Sequence, residues 1–95
     1  MMGGFYRFPA MAGIPTWTRE EQVDKILAEA NEVLAEQFRL DCKEDAGRRV
    51  AYGMELLDVI HAAETALRME FGDEEVETLR GCVERKNRER GYYGE

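Results

Sequence analysis

The sequence predicts an all-α protein, an antiparallel bundle of about three helices per chain that is completed by homo-oligomerisation. Apolar residues recur at helical spacing over most of the chain after residue 18, and no segment shows the alternation of a strand. The length of 95 residues allows a single domain. A single core of this size leaves only a small margin of stability, so we expect association between copies to reinforce it.

The first 17 residues have a different character from the rest of the chain. They are rich in Gly, Met and aromatic residues without a clear period, which predicts an extended N-terminal arm at 1–17 and a helical domain at 18–95. We expect the aromatic side chains of this arm to dock on the helices. They are Phe5, Tyr6, Phe8 and Trp17.

Helix 1 is predicted to begin after Thr18. Thr18 and Glu21 have the spacing of a capping box, and the helical pattern continues to about Leu40. Its predicted apolar face is made of Val23, Ile26, Leu27, Ala30, Val33, Leu34 and Phe38. Glu29, Glu32 and Glu36 lie on the other side, where a solvated polar face is also expected.

Helix 2 is predicted from about Asp45 to Phe71. Its apolar residues spread over roughly half of the helix circumference, which is more than helix 1 alone can cover. We therefore expect a second subunit against the remainder of this stripe, in a homodimer or a homotetramer.

Helix 3 is predicted to follow the break at Gly72, with Asp73 as its N-cap and two acids in its first turn. It carries Val76, Leu79 and Val83 and is expected to end before Gly91, which is suited to the C′ position.

The charge balance and the cysteine count limit the functional classes. Twenty acidic against 13 basic residues give a net charge of −7, which disfavours general binding to nucleic acid or to an anionic membrane. Two cysteines are too few for a disulfide framework, and the arm has no apolar run typical of a secretion signal. We expect a cytoplasmic protein.

Two carboxylate pairs are the candidate metal ligands. Glu29 and Glu32 on helix 1, and Glu55 and Asp58 on helix 2, each stand three residues apart, so each pair shares one helix face. Four carboxylates between two packed helices would suit Mg²⁺ or Mn²⁺, ions that commonly serve phosphate chemistry. Two alternatives remain open here. The first pair can be a solvated face, and Asp58 can form a salt bridge instead, for example to Arg39, Arg48 or Arg49.

The C-terminal end of helix 3 is the candidate substrate-binding segment. Lys86 and Arg90 stand four residues apart on one face and could contact successive phosphates, while Asn87 could donate an amide hydrogen bond and Tyr92 could stack on a base. Basic residues at a helix end also complement the helix dipole, which explains them without any ligand.

The order of these parts resembles the MazG-like branch of the all-α nucleoside triphosphate pyrophosphohydrolases. The resemblance lies in 25–33 (KILAEANEV), 55–60 (ELLDVI) and 86–92 (KNRERGY). It implies an Mg²⁺-dependent enzyme that cleaves a nucleoside triphosphate to the monophosphate and pyrophosphate. It carries over as metal ligands Glu29, Glu32, Glu55 and Asp58, and as phosphate contacts Lys86 and Arg90.

Within that resemblance, Glu32 and Glu55 are the expected catalytic residues, with Glu32 as acceptor of a proton from the attacking water. His61 and Glu64 continue the row of Glu55 and Asp58 and lie within possible reach of the metal shell. For His61 we favour a hydrogen-bonded interfacial role.

A different class of protein is also consistent with the sequence. A non-catalytic helical module, which binds a partner helix or a nucleotide without hydrolysing it, would use the same apolar stripes and leave the acids as a solvated face. An interaction module of that kind predicts no specific binding of divalent ions. A ferritin-type di-metal protein ranks last, because its E-x-x-H motifs are missing from the sequence.

Overall fold

The described part of the chain is all-helical, as the sequence predicts. A computed structural model describes residues 4–13 and 16–94, and within them the helices are α1 (Arg19–Cys42), α2 (Ala46–Glu70) and α3 (Asp73–Glu89). No strand occurs in these residues. None of these helices has both the length and the apolar character needed to cross a membrane.

The N-termini of the helices are capped by local side chains. The predicted capping box of α1 is present, since Thr18 Oγ1 accepts the Glu21 N–H at 3.0 Å and Glu21 Oε1 accepts the Thr18 N–H at 2.9 Å. Asp45 caps α2 by accepting the Arg48 N–H at 2.8 Å. These contacts fix where each helix begins.

The start of α3 differs from the prediction. Gly72 is the N-cap and Asp73 is already helical, because Glu75 Oε1 reaches back to accept the Gly72 N–H at 2.9 Å.

The predicted role of Gly91 as the C′ residue of α3 is confirmed. Gly91 has φ +80°, and the N–H groups of Gly91 and Tyr92 donate to the carbonyls of Arg88 and Asn87, each at 3.0 Å. This is the Schellman arrangement, which only a left-handed residue permits without strain.

Helices α1 and α2 form an antiparallel hairpin joined by residues 43–45. Gln22 Nε2 donates to the carbonyl of Ala62 at 2.8 Å, and seven residues further along α1 Glu29 reaches Glu55. The seam between the helices consists of half-buried and buried residues at alternating steps of four and three, as in a coiled coil. They are Gln22, Ile26, Glu29, Val33, Glu36 and Leu40 on α1, and Arg48, Tyr52, Glu55, Val59, Ala62, Ala66 and Met69 on α2.

The exposure of the two faces of α1 agrees only in part with the sequence-based expectation, since Ile26 and Val33 of the predicted apolar face are half-buried. The side chains of Glu29 and Glu36 are only 17% exposed, whereas Leu34 and Phe38 of the predicted apolar face are 63% and 68% exposed. The outer stripe, as we call the large apolar residues left open on the hairpin, consists of Val23, Leu27, Leu34 and Phe38 on α1 with Val50, Met54, Leu56, Leu57 and Ile60 on α2. The members on α1 recur at steps of four and seven, the spacing of a second potential helix seam.

The single chain encloses little apolar core. Among the described residues, the buried apolar side chains are Ala62 and Val76. The radius of gyration is 15.9 Å, against about 12 Å for a compact domain of this length. The isolated chain therefore lacks the burial that normally stabilises a domain.

Candidate metal centre

Three of the four predicted metal ligands meet at the seam between α1 and α2. Each of Glu29, Glu55 and Asp58 offers a carboxylate oxygen, and these oxygens all lie within 4.8 Å of one another. Glu29 and Glu55 are half-buried because they occupy seam positions, and Asp58 lies one turn further along α2 at the exposed edge. We call these three residues the acid cluster.

Glu55 is the most constrained member of the acid cluster. Its Oε2 atom is buried and has no hydrogen-bond partner among the described residues. The pKa of Glu55 is raised, chiefly by burial and then by the negative charges of four acids: Asp58, Glu29, Glu32 and Glu36. The seam therefore concentrates negative charge around an oxygen that lacks a donor.

The arginines expected to compete for Asp58 are engaged elsewhere. Each pairs with an acid close to it in sequence: Arg39 with Glu36 at 2.7 Å, Arg48 with Asp45 at 2.9 Å, and Arg49 with Glu44 at 3.1 Å. The salt-bridge alternative is therefore wrong for all three. The cation beside the cluster is Lys25, whose Nζ lies 3.9 Å from Glu29 Oε2. A single exposed ammonium at that distance does not balance the negative charge of three carboxylates.

The donors of the acid cluster fit a hard divalent cation. All three supply carboxylate oxygens, the ligands that Mg²⁺ and Mn²⁺ prefer. Opposite ligands of an octahedral Mg²⁺ shell stand about 4.2 Å apart, so small side-chain rotations would bring oxygens that lie within 4.8 Å into coordination distance. The unpartnered Oε2 of Glu55 is the atom that a cation would satisfy.

Glu32 lies outside the acid cluster. It is exposed on α1, one turn beyond Glu29, and its charge contributes to the raised pKa of Glu55. Its predicted roles as a fourth ligand and as a proton acceptor stay predictions.

The predicted substrate-binding residues lie at the C-terminal end of α3. The main-chain hydrogen bonds of this segment are local: the Arg90 N–H donates to the carbonyl of Lys86 at 3.2 Å, and the Tyr92 N–H donates to that of Asn87. Within the described part of the chain, no hydrogen bond or ion pair joins these four side chains to the acid cluster. Their predicted contact with phosphate stays a prediction.

Glu64 anchors the N-terminal arm and does not belong to the acid cluster. Its buried carboxylate accepts the Arg7 N–H at 2.9 Å and the Phe8 N–H at 3.1 Å. Arg68, one turn along α2, donates from Nη2 to the Phe8 carbonyl at 2.8 Å, and its guanidinium lies 3.8 Å from the centre of the Tyr6 ring. The predicted docking of the arm is thus confirmed for residues 6–8, and its main chain carries much of the contact.

His61 connects the arm with the surroundings of the acid cluster. Its ring stacks on that of Phe8 with centroids 4.7 Å apart, as expected for an interfacial residue. The expected hydrogen bond of the imidazole is not seen at Nε2, which has no partner among the described residues. It also lines the arm cavity, a space of about 50 Å³ between the arm and the α1–α2 hairpin. The lining residues are Met11, Trp17, Gln22, Lys25, Glu29, Asp58, His61, Ala62 and Thr65.

The sequence reasoning missed two parts of these surroundings. The pairing of Lys25 with Glu29 was readable in principle, because a Lys four residues before a Glu shares its helix face. The placement of Met11 beside Glu29 and Asp58 could not be predicted, because no periodic pattern in the arm indicates it.

Comparison of the chain with protein families, with curated proteins and with solved structures found no match.

Proposed function

We propose that this protein is a divalent-metal-dependent nucleoside triphosphate pyrophosphohydrolase, which cleaves its substrate to a monophosphate and pyrophosphate. The observation that carries the proposal is the acid cluster. Three carboxylates from two helices converge, and one of their oxygens is buried without a donor. The MazG-like order of acids and basic residues in the sequence supports the reaction type.

Mg²⁺ is the proposed cofactor, and Mn²⁺ an acceptable substitute. Glu29, Glu55 and Asp58, whose carboxylate oxygens converge between α1 and α2, would hold the ion. The ion, when bound, neutralises phosphate charge and lowers the pKa of a water ligand. Holding it at the seam, and not on one helix alone, makes the geometry of the site depend on the packing of the hairpin.

Glu32 is the proposed proton acceptor. It is exposed, one turn from Glu29, so it can face a substrate while the other acids are engaged with the ion. In the proposed reaction a water oxygen bonds to the α-phosphorus, and the bond from that phosphorus to the bridging oxygen breaks. Pyrophosphate leaves with the electron pair, and Glu32 takes the proton from the water.

The basic end of α3 is proposed to hold the rest of the substrate. The positive charges of Lys86 and Arg90 would contact two successive phosphates. Asn87 would donate an amide hydrogen bond, and the Tyr92 ring would stack on the base. All except Asn87 are exposed in the single chain, and Asn87 is half-buried.

A second copy of the chain is proposed to cover the outer stripe. Leu34, Phe38, Val50 and Met54 are each 60% exposed or more, a degree unusual for large apolar residues of a helix hairpin. The same stripe on a second hairpin is complementary to it under twofold symmetry, and the pair would form a four-helix bundle. The homodimer, or a tetramer built from it, supplies the core that the single chain lacks.

The test is release of pyrophosphate from a panel of canonical, deoxy and modified nucleoside triphosphates, with Mg²⁺ or Mn²⁺ and with EDTA. We expect metal-dependent release by the wild type and loss of at least about 100-fold in the Glu55→Gln variant. The matched control is Glu20→Gln, which removes the same charge about 14 Å along α1 from Glu29. Reaction in ¹⁸O-labelled water should place the label in the monophosphate.

Two results would contradict the proposal. One is no release from any substrate by a folded, associated wild-type protein. The other is equal activity in the Glu55→Gln and Glu20→Gln variants, which would separate the reaction from the acid cluster.

A non-catalytic interaction module remains the second candidate function, favoured by the exposure of the outer stripe. That stripe would then receive a helix of another protein. The two candidates differ in the role of the acids, because an interaction module gains nothing from divalent ions.

A further inference from the structure

Lys25 is the cation beside the acid cluster, and its ion pair with Glu29 is a weak one. Its Nζ lies 3.9 Å from Glu29 Oε2, whereas the hydrogen-bonded pair of Arg39 with Glu36 measures 2.7 Å. The order of the pair is also the less favourable one, because a Lys that precedes a Glu by four residues opposes the helix dipole. Since the side chain of Lys25 is 59% exposed, it can leave Glu29 at little cost in free energy.

Lys25 and the acid cluster meet at the arm cavity. Lys25, Glu29 and Asp58 line this cavity together, and it is partly open to solvent. Among the described residues of the lining, Lys25 is the one Lys or Arg. The side chain of Lys25 is therefore placed to contact an anion that approaches the acid cluster from this opening.

A triphosphate at the acid cluster needs a positive charge in addition to the ion. The three ionised carboxylates outweigh the two positive charges of a divalent ion, so the loaded cluster still carries net negative charge. Such a site repels a polyanionic substrate unless a nearby cation offsets the excess. Lys25 can supply that charge without a change of the backbone, because an ammonium on a flexible four-carbon stem reorients easily.

We propose that Lys25 exchanges partners at the acid cluster, pairing with Glu29 in the metal-free protein and with a substrate phosphate once the ion is bound. The inference rests on the proposed function for the identity of this substrate. A divalent ion on Glu29 cancels the attraction that holds the ammonium there and adds a repulsion, so the released side chain turns to the phosphate. Lys25 is thereby a substrate-binding residue that also lowers the affinity of the cluster for the ion.

The first test measures Mn²⁺ binding by calorimetry without any nucleotide. Lys25→Met removes the ammonium and keeps a helix-forming side chain. We expect this variant to bind Mn²⁺ about 3- to 10-fold more tightly than the wild type at low ionic strength, because the ion no longer competes with a like charge. The matched control Lys43→Met removes the same charge at an exposed site roughly 27 Å along α1 and should bind like the wild type.

Two results of this titration would overturn the exchange. One is a Lys25→Met variant that binds Mn²⁺ no more tightly than the wild type. The other is an equal gain in Lys43→Met, which would assign the effect to net charge alone.

The second test measures the contact with substrate. We expect Lys25→Met to raise KM for nucleoside triphosphates by about 10-fold or more with a smaller change in kcat, and Lys25→Arg, which keeps the charge, to recover part of the loss. Wild-type KM in Lys25→Met would overturn the phosphate contact. If the wild type hydrolyses nothing, the proposed function and the phosphate contact fail together, while the Mn²⁺ result still decides whether Lys25 and the ion compete.

Discussion

Glu29 of α1 and Glu55 of α2 face each other across the seam of the hairpin, with carboxylate oxygens within 4.8 Å. Seam positions in a helix pair are normally apolar, so two acids at this point work against the packing of the helices. The raised pKa of Glu55 reflects that conflict, since burial and the neighbouring acids both disfavour its charged form. A divalent cation would remove this conflict between the two acids and the packing of the helices.

Neutralising Glu55 is expected to stabilise the metal-free protein. In the Glu55→Gln variant the repulsion from Glu29 and Asp58 disappears, so the melting temperature in EDTA should rise above that of the wild type. The same variant should lose the stabilisation that Mn²⁺ gives the wild type, which is about 2.7 kcal/mol when the free ion is at 100 times its Kd. Thermal melting with and without Mn²⁺ measures both effects. A Glu20→Gln control that behaves in the same way would show that the effect is only one of net charge.

Binding of the ion is expected to strengthen as the pH rises. The pKa of Glu55 lies above its ordinary value of 4.5, so the folded protein holds this proton more strongly than the unfolded chain does. The stability that Glu55 contributes in metal-free protein is therefore fully present below pH 4.5 and is lost as the pH rises through the raised pKa. A cation needs the ionised carboxylate, so its apparent affinity increases over the same window.

Calorimetric titration of Mn²⁺ at a series of pH values checks this dependence. Glu55→Gln should bind the ion weakly at every pH. An affinity for the wild type that is independent of pH above 4.5 would be inconsistent with Glu55 as a ligand.

Removing the anchor of the arm is expected to destabilise the fold. Glu64→Ala leaves the N–H groups of Arg7 and Phe8 without their acceptor, at a cost of about 1–3 kcal/mol. Urea denaturation of this variant measures the loss, and limited proteolysis should cut the chain first near Arg7. A variant as stable and as protease-resistant as the wild type would mean that the arm does not depend on Glu64.

A charge in the outer stripe is expected to weaken association. Leu34 is 63% exposed in the single chain, and a buried Lys at that position would oppose the contact between two copies. Sedimentation should show that Leu34→Lys shifts the protein toward the monomer, with a lower melting temperature that no longer depends on protein concentration. The matched change Asn31→Lys adds the same charge at an exposed polar site of α1 and should leave association intact. Monomeric wild-type protein would contradict the assembly.

The helices and most of their ends could be predicted because their signals are local. Thr18 with Glu21, Asp45 before α2, and Gly91 after α3 act through contacts within a few residues. The N-cap of α3 was misplaced by one residue, because Glu75 reaches back to a main-chain N–H and so leaves Asp73 free to be helical.

The orientation of α1 could not be predicted from its own sequence. Two stripes of nearly the same period lie side by side on it, one through Ile26 and Val33 and the other through Leu27 and Leu34. Either stripe can pack against α2, and the more apolar one is the open one in the single chain. The choice depends on the partners available to each stripe, and a pattern along one helix carries no information about them.

The acid cluster was predictable in part. Spacing on two packed helices already named Glu29, Glu55 and Asp58 together, and the hairpin places all three side by side. It also named Glu32, which lies outside the acid cluster. The contact of Glu64 with the arm was not predictable, and neither was Phe8 as the partner of the His61 ring. Glu64 accepts from main-chain N–H groups of the arm, and His61 stacks on the Phe8 ring. Neither kind of contact leaves a periodic pattern in the sequence.

The most direct test of the account is the binding of Mn²⁺ in the absence of any nucleotide, followed by the EPR signal of the free ion. We expect the wild type to bind Mn²⁺ in competition with Mg²⁺, and each of Glu29→Gln, Glu55→Gln and Asp58→Asn to weaken binding by at least about tenfold. The Glu20→Gln control should bind like the wild type. Equal Mn²⁺ affinity in all five proteins would show that the acid cluster is not a metal site.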